Sequence, residues 1–503
     1  MLRSKYRKLT KFSYPYKKAS KSNRLNFIKS IESYDSFKNG EFEFLNLSYK
    51  FENGIDWNYL GYGKLWAYNL NYFEFLNQKD FDCKVGLEFI NEFIASLRIN
   101  TEGLEPFPIS LRGINWIKFL SQNDIKNEKI DDSLYAQYMI LMDNLEYHLL
   151  GNHLLENGFS LLFGAYYFKD NELYNKAKEI LISELDEQIL EDGAHFELTP
   201  MYHQIMLFRV LDSLNLVVNH EIFDKELEEF FIKKAEIMLS WLKKISYKDG
   251  AIPHFNDSTD GIAPTSINLF EYAKRLGLKN IVKLELNESG YRAKNFERYE
   301  LRVDVGEIGP SYIPGHAHSD TFGFELRVDG KPFIVDSGIS TYESNELRLK
   351  QRQTSAHNTV QIGDIEQSKV WSSFRVANRA NINFLKEYDD TIIASHDGYK
   401  DLGIIHQRTF SASNKTIEIK DLLIGKYNGG FENNAYIHFH PDIDKVEIKD
   451  NKIMIKDITL LIEGSKNLQL DDFTYAFGFN RLKDAKLLKI TFNNELLVTI
   501  SFL

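Results

Sequence analysis

Four segments of this chain concentrate residues able to move protons, bind anions or hold metals. They are Asn152-His153-Leu154-Leu155-Glu156-Asn157-Gly158, Glu197-Leu198-Thr199-Pro200-Met201-Tyr202-His203, Gly315-His316-Ala317-His318-Ser319-Asp320 and Ser355-Ala356-His357-Asn358-Thr359. Histidine is sparse, 13 in 503 residues, so its clustering carries information. Each histidine taken alone also has a plain reading, as a capping or core residue. His316 and His318 lie two apart, so an extended strand would project both rings from one face. Asp336 ends an apolar run, Phe333-Ile334-Val335, and His357 follows it. Neutral imidazole and ionised carboxylate are ordinary ligands of a divalent cation such as zinc. Tyr202 closely follows Pro200, which suits the first turn of a helix, and is flanked by Glu197 and His203. A tyrosine serves as general acid or base when neighbouring charges lower its pKa. Asn152 and His153 can donate hydrogen bonds to an anionic group. Arg112 and Trp116, close together in Leu111-Arg112-Gly113-Ile114-Asn115-Trp116, suit a carboxylated or sulfated sugar; a core tryptophan and an ion-paired surface arginine is the equal alternative.

The elements that must position these residues fall into two patterns. From about 30 to 290 apolar residues recur at helical spacing, as in Val85, Phe89, Ile90, Phe93, Ile94 and Leu97, or Leu173, Ala177, Ile180, Leu181, Leu185 and Ile189. Short polar breaks such as Glu191-Asp192-Gly193 and Lys248-Asp249-Gly250 separate the runs, so an all-α region without strands is expected. After about 295 the period becomes two. Phe322, Phe324, Leu326 and Val328 precede Asp329-Gly330, with Phe333 and Val335 beyond; Val446 and Ile448 precede Asp450-Asn451, with Ile453 and Ile455 beyond; Ile490 and Phe492 precede Asn493-Asn494, with Leu496, Val498 and Ile500 beyond. Each reads as a β-hairpin. The expected organisation is a basic segment over 1–30, a helical domain over 31–290 and an antiparallel β domain over 291–503, joined near Asn287-Glu288-Ser289-Gly290.

Composition narrows the function classes. The chain is 43% hydrophobic, 26% charged and 14% aromatic with only 10 prolines, an ordinary globular balance. Its 61 basic and 72 acidic residues give a net charge of −11, which argues against binding nucleic acid through phosphates. The charge is uneven. Residues 1–30 carry Arg3, Lys5, Arg7, Lys8, Lys11, Lys17, Lys18, Lys21, Arg24 and Lys29 and no acid. This head is suited to peripheral contact with an anionic membrane, with a solvated tail as the plain alternative. The one cysteine, Cys83, cannot form an intrachain disulfide or a multi-cysteine zinc site. No apolar run marks a signal peptide or a membrane span, so a cytoplasmic or membrane-peripheral location is expected. Neither glycine-rich phosphate-loop pattern occurs, and no organic cofactor is expected. Oligomeric state is not legible.

Taken together, helices followed by strands, with NHLLENG, ELTPMYHQ, GHAHSD, a strand ending in VDSG and RQTSAHNTV, resemble the heparinase II/III-like polysaccharide lyases, a group related to alginate-type lyases. The resemblance spans roughly residues 60 to 500. It implies an α+β multidomain fold, an incomplete (α/α) toroid followed by an antiparallel β-sandwich, with an acidic polysaccharide as substrate. By the same resemblance Asn152 and His153 would neutralise a uronate carboxylate, with Glu156 one helical turn on. Tyr202 and His316 would be catalytic, and His318, Asp336 and His357 would hold a structural divalent metal, zinc being usual. Arg112 and Trp116 match a segment lining the family's cleft, Arg352 with Asn358 matches the motif around the last metal ligand, and the resemblance makes Arg112, Trp116, Glu156 and Arg352 the expected substrate-binding residues.

The implied reaction is β-elimination. Removing the C5 proton of a uronate places charge on the carboxylate, and each preorganised donor meeting that charge is worth roughly 3–4 kcal/mol. A base takes the proton, an acid protonates the departing O4, and an unsaturated uronate remains. Tyr202 could perform both steps or share them with His316, depending on stereochemistry. A bacterial capsule or exopolysaccharide is one candidate substrate. A uronyl C5-epimerase, which returns the proton to the opposite face, is the nearest alternative, and a non-catalytic acidic-polysaccharide-binding protein is the second.

Overall fold

The computed structural model describes residues 19, 21–278, 282–312, 314–425 and 431–502. Most of the basic head, and with it the expected membrane contact, lies outside the described residues. These residues form two compact units: one reaches Asp186 and adds Arg209–Ile232; the other comprises Glu187–Phe208 and the chain from Lys233 onward. Helix Ser266–Arg275 precedes strand Tyr291–Asn295. The units divide elsewhere, because residues 187–208 and the helices after 233 pack with the strands.

The first unit contains helices Lys64–Tyr72, Cys83–Ser96, Pro106–Gln122, Glu128–Met142 and Gly151–Phe168. Local chemistry fixes their starts. Asp82 accepts from the amides of Lys84 and Val85, Asn127 from those of Lys129 and Ile130, and a proline opens the third helix. Trp57, Trp66, Phe73, Phe93 and Trp116 are buried in this unit. The part of the basic head that is described belongs to it: Leu25 is buried, and Arg24 donates to the Tyr167 hydroxyl at 2.6 Å. The expectation of an all-α region needs correction here. Phe37–Lys38, Glu41–Phe44 and Leu47–Tyr49 form a small antiparallel sheet. Glu41-Phe42-Glu43-Phe44 alternates exposed and buried, and Leu45 and Asn46 both take positive φ, as a tight hairpin turn requires.

In the second unit a four-stranded antiparallel sheet runs Tyr291–Asn295, Tyr299–Asp304, Phe324–Val328, Lys331–Ile334. A ten-stranded sheet contains two long strands, Ile458–Gly478 and Arg481–Phe502, paired antiparallel. Leu301, Val303, Phe324 and Leu326 from the first sheet share one core with Val360, Phe410, Ile419, Leu460 and Ile490 from the second, which is sheet-on-sheet packing. Two of the three expected hairpins form, turning at Asp329-Gly330 and at Asp450-Asn451. The third does not. Arg481–Phe502 runs straight through Asn493-Asn494, changing partner there: Phe492 pairs with Asn433, whereas Leu496 pairs with Asp421. The opposite strand is irregular between Glu463 and Ser465, where Gly464 takes positive φ, so the asparagines mark a bend.

Candidate active site

Tyr202 lies in the first turn of helix Pro200–Val218, where the proline leads the sequence reading to place it. Its ring lies against that of His316, with centroids 4.1 Å apart and the planes tilted by 33°. His316 sits on a loop and not on the strand that the two-residue spacing suggested, yet its ring and that of His318 still converge. They do so on one carboxylate. Asp257 Oδ2 lies 2.9 Å from His316 Nδ1 and Oδ1 lies 2.8 Å from His318 Nε2. Arg348 donates to both oxygens, to Oδ2 at 2.7 Å. Burial alone would raise the Asp257 pKa; the Arg348 charge and the two histidines outweigh it and hold the carboxyl well below its usual range. An ionised Asp257 accepts the Nδ1 hydrogen of His316 and leaves Nε2 as the lone pair, which is the form a general base needs.

The backbone around this cluster is strained. Leu198 and Asn256 both take positive φ, rare for residues other than glycine. They hold each other: the Asn256 side chain donates to the Leu198 carbonyl at 2.9 Å, and its Oδ1 accepts from the His318 amide at 2.9 Å. The Tyr291 hydroxyl also donates to Leu198. This knot fixes the segment entering the Tyr202 helix against the segment carrying Asp257.

Tyr202 itself differs from the expectation that neighbouring charges lower its pKa. Burial pushes the phenol well above its ordinary value, although the hydrogen bond from Tyr342, at 3.4 Å, works the other way. The resting residue is therefore a proton donor. Glu197 approaches His316 Nε2 at 3.9 Å. His203 is structural, since its Nε2 donates to the Met238 carbonyl at 3.0 Å and its Nδ1 accepts from the His195 amide at 3.2 Å.

In the first unit, Asn152 and His153 occupy the first turn of helix Gly151–Phe168, preceded by Leu150 at positive φ. His153 stands partly exposed beside the Phe107 ring, 4.6 Å away, with Nδ1 3.2 Å from Glu146. Asn157 donates to the other Glu146 oxygen at 3.0 Å. The carboxylate-oriented imidazole seen at His316 thus recurs at His153.

The structure corrects four expected substrate contacts. Arg112 is fully buried, donating to Gln137 and to the carbonyls of Asn71 and Gly103, with its guanidinium over the Phe93 ring. Trp116 is core, packed on Phe73 and Phe93. Glu156 is buried in an ion pair with Arg209, both oxygens 2.9 Å from Nε. Arg352 is buried and donates to the carbonyls of Ala317 and Ser372. Each guanidinium satisfies internal acceptors, and none of these four side chains is presented to a ligand.

The expected metal ligands are adjacent but differently engaged. His357 Nδ1 lies 2.7 Å from Asp336 Oδ2, Asp336 Oδ1 accepts from the Gly338 amide, and the His318 and His357 rings are 5.3 Å apart. Asp336 therefore supports a histidine in this arrangement, where the sequence placed it as a ligand. Among the described residues no group of three or more His, Cys, Asp or Glu side chains is placed to hold a metal ion. His318 Nδ1, His357 Nε2 and Asp320 Oδ2 are buried with no hydrogen-bond partner among the described residues. Each histidine has its other nitrogen against a carboxylate, the usual second layer of a metal site. Sequence reasoning missed Asp257, Tyr342 and Arg348, which lie outside the four histidine segments.

A helical region is thus followed by packed antiparallel sheets, with the Tyr202 ring set against a carboxylate-held histidine. The chain belongs to the heparinase II/III-like family: the heparinase II/III N-terminus model matches residues 114–276 and the heparinase II/III-like C-terminal model matches 283–492. It is similar to a heparin-sulfate lyase of Bacteroides stercoris, 26% identical over 360 residues, covering 65% of this chain and 51% of the relative. It is also similar to a heparin-sulfate lyase of Pedobacter heparinus, 27% identical over 308 residues, covering 56% and 45% respectively. The chain spans about half the length of the curated relatives it matches. Among solved structures, a heparinase III superposes with a TM-score of 0.70 at 17% identity, covering 97% of this chain and 88% of that one. No helix among the described residues is long and apolar enough to cross a membrane.

Proposed function

We propose that this protein is a polysaccharide lyase that cleaves a uronate-containing glycosaminoglycan by β-elimination. The observation that carries the reading is the Tyr202–His316 pair, with rings 4.1 Å apart, in which a half-buried phenol that keeps its proton meets an imidazole whose Nδ1 is held by Asp257. The two groups are matched to the two proton transfers. His316 Nε2 accepts the C5 proton, and Tyr202 delivers its proton to the departing O4, leaving a double bond between C4 and C5. The C5 electrons pass toward the carboxylate, whose growing charge needs hydrogen-bond donors. The names of the curated relatives support the substrate class.

The reading also includes a structural divalent cation, held by His318 Nδ1 and His357 Nε2 with Asp320 as the buried carboxylate oxygen in reserve. Bound there, the ion would crosslink the loop of His318 to the segment of His357 and contribute folding energy.

The test is incubation with heparan sulfate, heparin, chondroitin sulfate, hyaluronan and alginate, read by the ultraviolet absorbance of unsaturated uronate. Absorbance rising with one of them supports the reading. Incorporation of solvent deuterium at C5 with no new absorbance would favour the epimerase instead.

A further inference from the structure

Beside His316 a short hairpin presents aromatic and cationic side chains to solvent on an unusually well-anchored mount. Strands Lys369–Trp371 and Arg375–Ala377 pair antiparallel, with Arg375 directly opposite Trp371. Trp371 is 50% exposed and Phe374 39%, and Lys369 and Arg375 are exposed too. An exposed aromatic on a free loop would need no explanation. This loop is not free. The Ser373 carbonyl accepts from Arg348 Nε and Nη2 at 3.2 and 3.0 Å, and the Ser372 carbonyl accepts from Arg352 Nη1 at 3.0 Å. Both arginines are fully buried, and Arg348 is the one that grips Asp257. The same guanidinium network therefore fixes the catalytic histidine and the turn of the hairpin.

The aromatic side chains extend this geometry outward. The Phe374 ring lies 5.7 Å from that of His316 and 5.2 Å from that of Tyr342, and Arg348 lies over both Phe374 and Tyr342. A ring held beside the reacting groups but open to solvent is placed to stack on a sugar face. Trp371, on the strand leading into the turn, with Arg375 across from it, offers a second flat face and a guanidinium for a carboxylate or sulfate.

We infer that the tip of this hairpin, Phe374 with Trp371 and Arg375, is a binding subsite for an acidic sugar unit adjoining the one that reacts at His316. The inference rests on the lyase reading and adds to it the side chains that grip the chain next to the scissile bond. Because the mount is already rigid, little ordering is lost on binding. These residues hold substrate without touching the transferred protons, so they set affinity more than turnover.

The experiment measures heparan sulfate hexasaccharide binding by calorimetry in a Tyr202→Phe background, and its cleavage kinetics in the otherwise unaltered enzyme, for Trp371→Ala and Arg375→Ala, with neutral maltohexaose as control. Each variant is expected to weaken hexasaccharide binding by about tenfold and raise KM to match, with kcat changed by less than about threefold and thermal melting unaltered. Hexasaccharide binding and KM equal to the parent in both variants would overturn the subsite while leaving the lyase standing. A parent protein that neither binds nor cleaves the hexasaccharide would overturn the subsite and the heparan-directed lyase reading together.

Discussion

His316 Nδ1 lies 2.9 Å from Asp257 Oδ2, and the other oxygen of the same carboxylate lies 2.8 Å from His318 Nε2. One buried aspartate thus fixes the tautomer of the proposed base and of the neighbouring histidine on which a metal would rest. Asp257→Asn replaces an acceptor with an amide that can present hydrogen to His316 and so favours the wrong tautomer. Steady-state kinetics should show kcat lowered by about 10²–10⁴, on the scale of losing the orienting aspartate of a catalytic triad, with KM changed far less. A kcat near the parental value would show that Asp257 only holds the fold.

Tyr202→Phe keeps the ring against His316 and removes the proton donor. Turnover should fall by roughly 10²–10⁴, the usual weight of a positioned acid. The hydroxyl's partner is Tyr342 at 3.4 Å, a long hydrogen bond, so folding stability should change by no more than about 1 kcal/mol in chemical denaturation. Large loss of both would indicate a structural tyrosine.

Glu156 is predicted to act on stability. Glu156→Gln breaks a buried pair and takes from the Arg209 guanidinium the carboxylate it holds at 2.9 Å, at a cost of about 3–5 kcal/mol. Denaturant titration should register that loss, and Glu156→Leu combined with Arg209→Met should recover much of it. Parental stability in Glu156→Gln, together with a raised KM, would return Glu156 to the substrate.

The buried histidines predict how stability follows pH. Burial lowers the pKa of His203 to about 3 and that of His195 to about 4, so both are neutral in the fold, while their unfolded values lie near 6.5. Below about pH 6.5 the unfolded chain binds protons that the folded chain refuses. The stability they contribute is therefore complete above that pH and falls by up to about 1.4 kcal/mol per pH unit for each histidine as pH drops toward the folded values. Denaturation midpoints at pH 7.5, 6 and 5 should descend; flat midpoints would contradict the neutral assignment.

If His318 and His357 hold a cation, elemental analysis of the purified protein should find a divalent metal, and a chelator should lower the melting temperature. His318→Ala should lose both the metal and the chelator response. Comparing Asp320→Asn with Asp336→Asn then decides which carboxylate is the ligand.

The legible parts of this molecule were those written in local sequence. Helical periodicity, period-two runs and the turns at Asp329-Gly330 and Asp450-Asn451 depend on neighbours a few residues apart. The Pro200 start likewise places Tyr202 in a first turn. Asn493-Asn494 misled because a turn pair and a mid-strand bend use the same residues, and only the partner strand with its Gly464 irregularity distinguishes them. Asp257 was invisible for a different reason. It lies 59 residues from His316 and 91 from Arg348, and no periodicity links loops across such separations. Its one local signal was Asn256-Asp257-Ser258, a polar run after the amphipathic helix Glu226–Ile245. Arg112, Glu156 and Arg352 were misjudged because charge suggests solvent or ligand, whereas each is satisfied by internal partners that only the fold supplies.

The central claim is elimination by Tyr202 and His316, and mass spectrometry of glycan cleaved in heavy-oxygen water tests it most directly. Elimination adds no water across the broken bond. The account predicts new ends carrying an unsaturated uronate and no heavy oxygen, with cleavage lost in Tyr202→Phe; heavy oxygen in the products, or saturated ends, would contradict it.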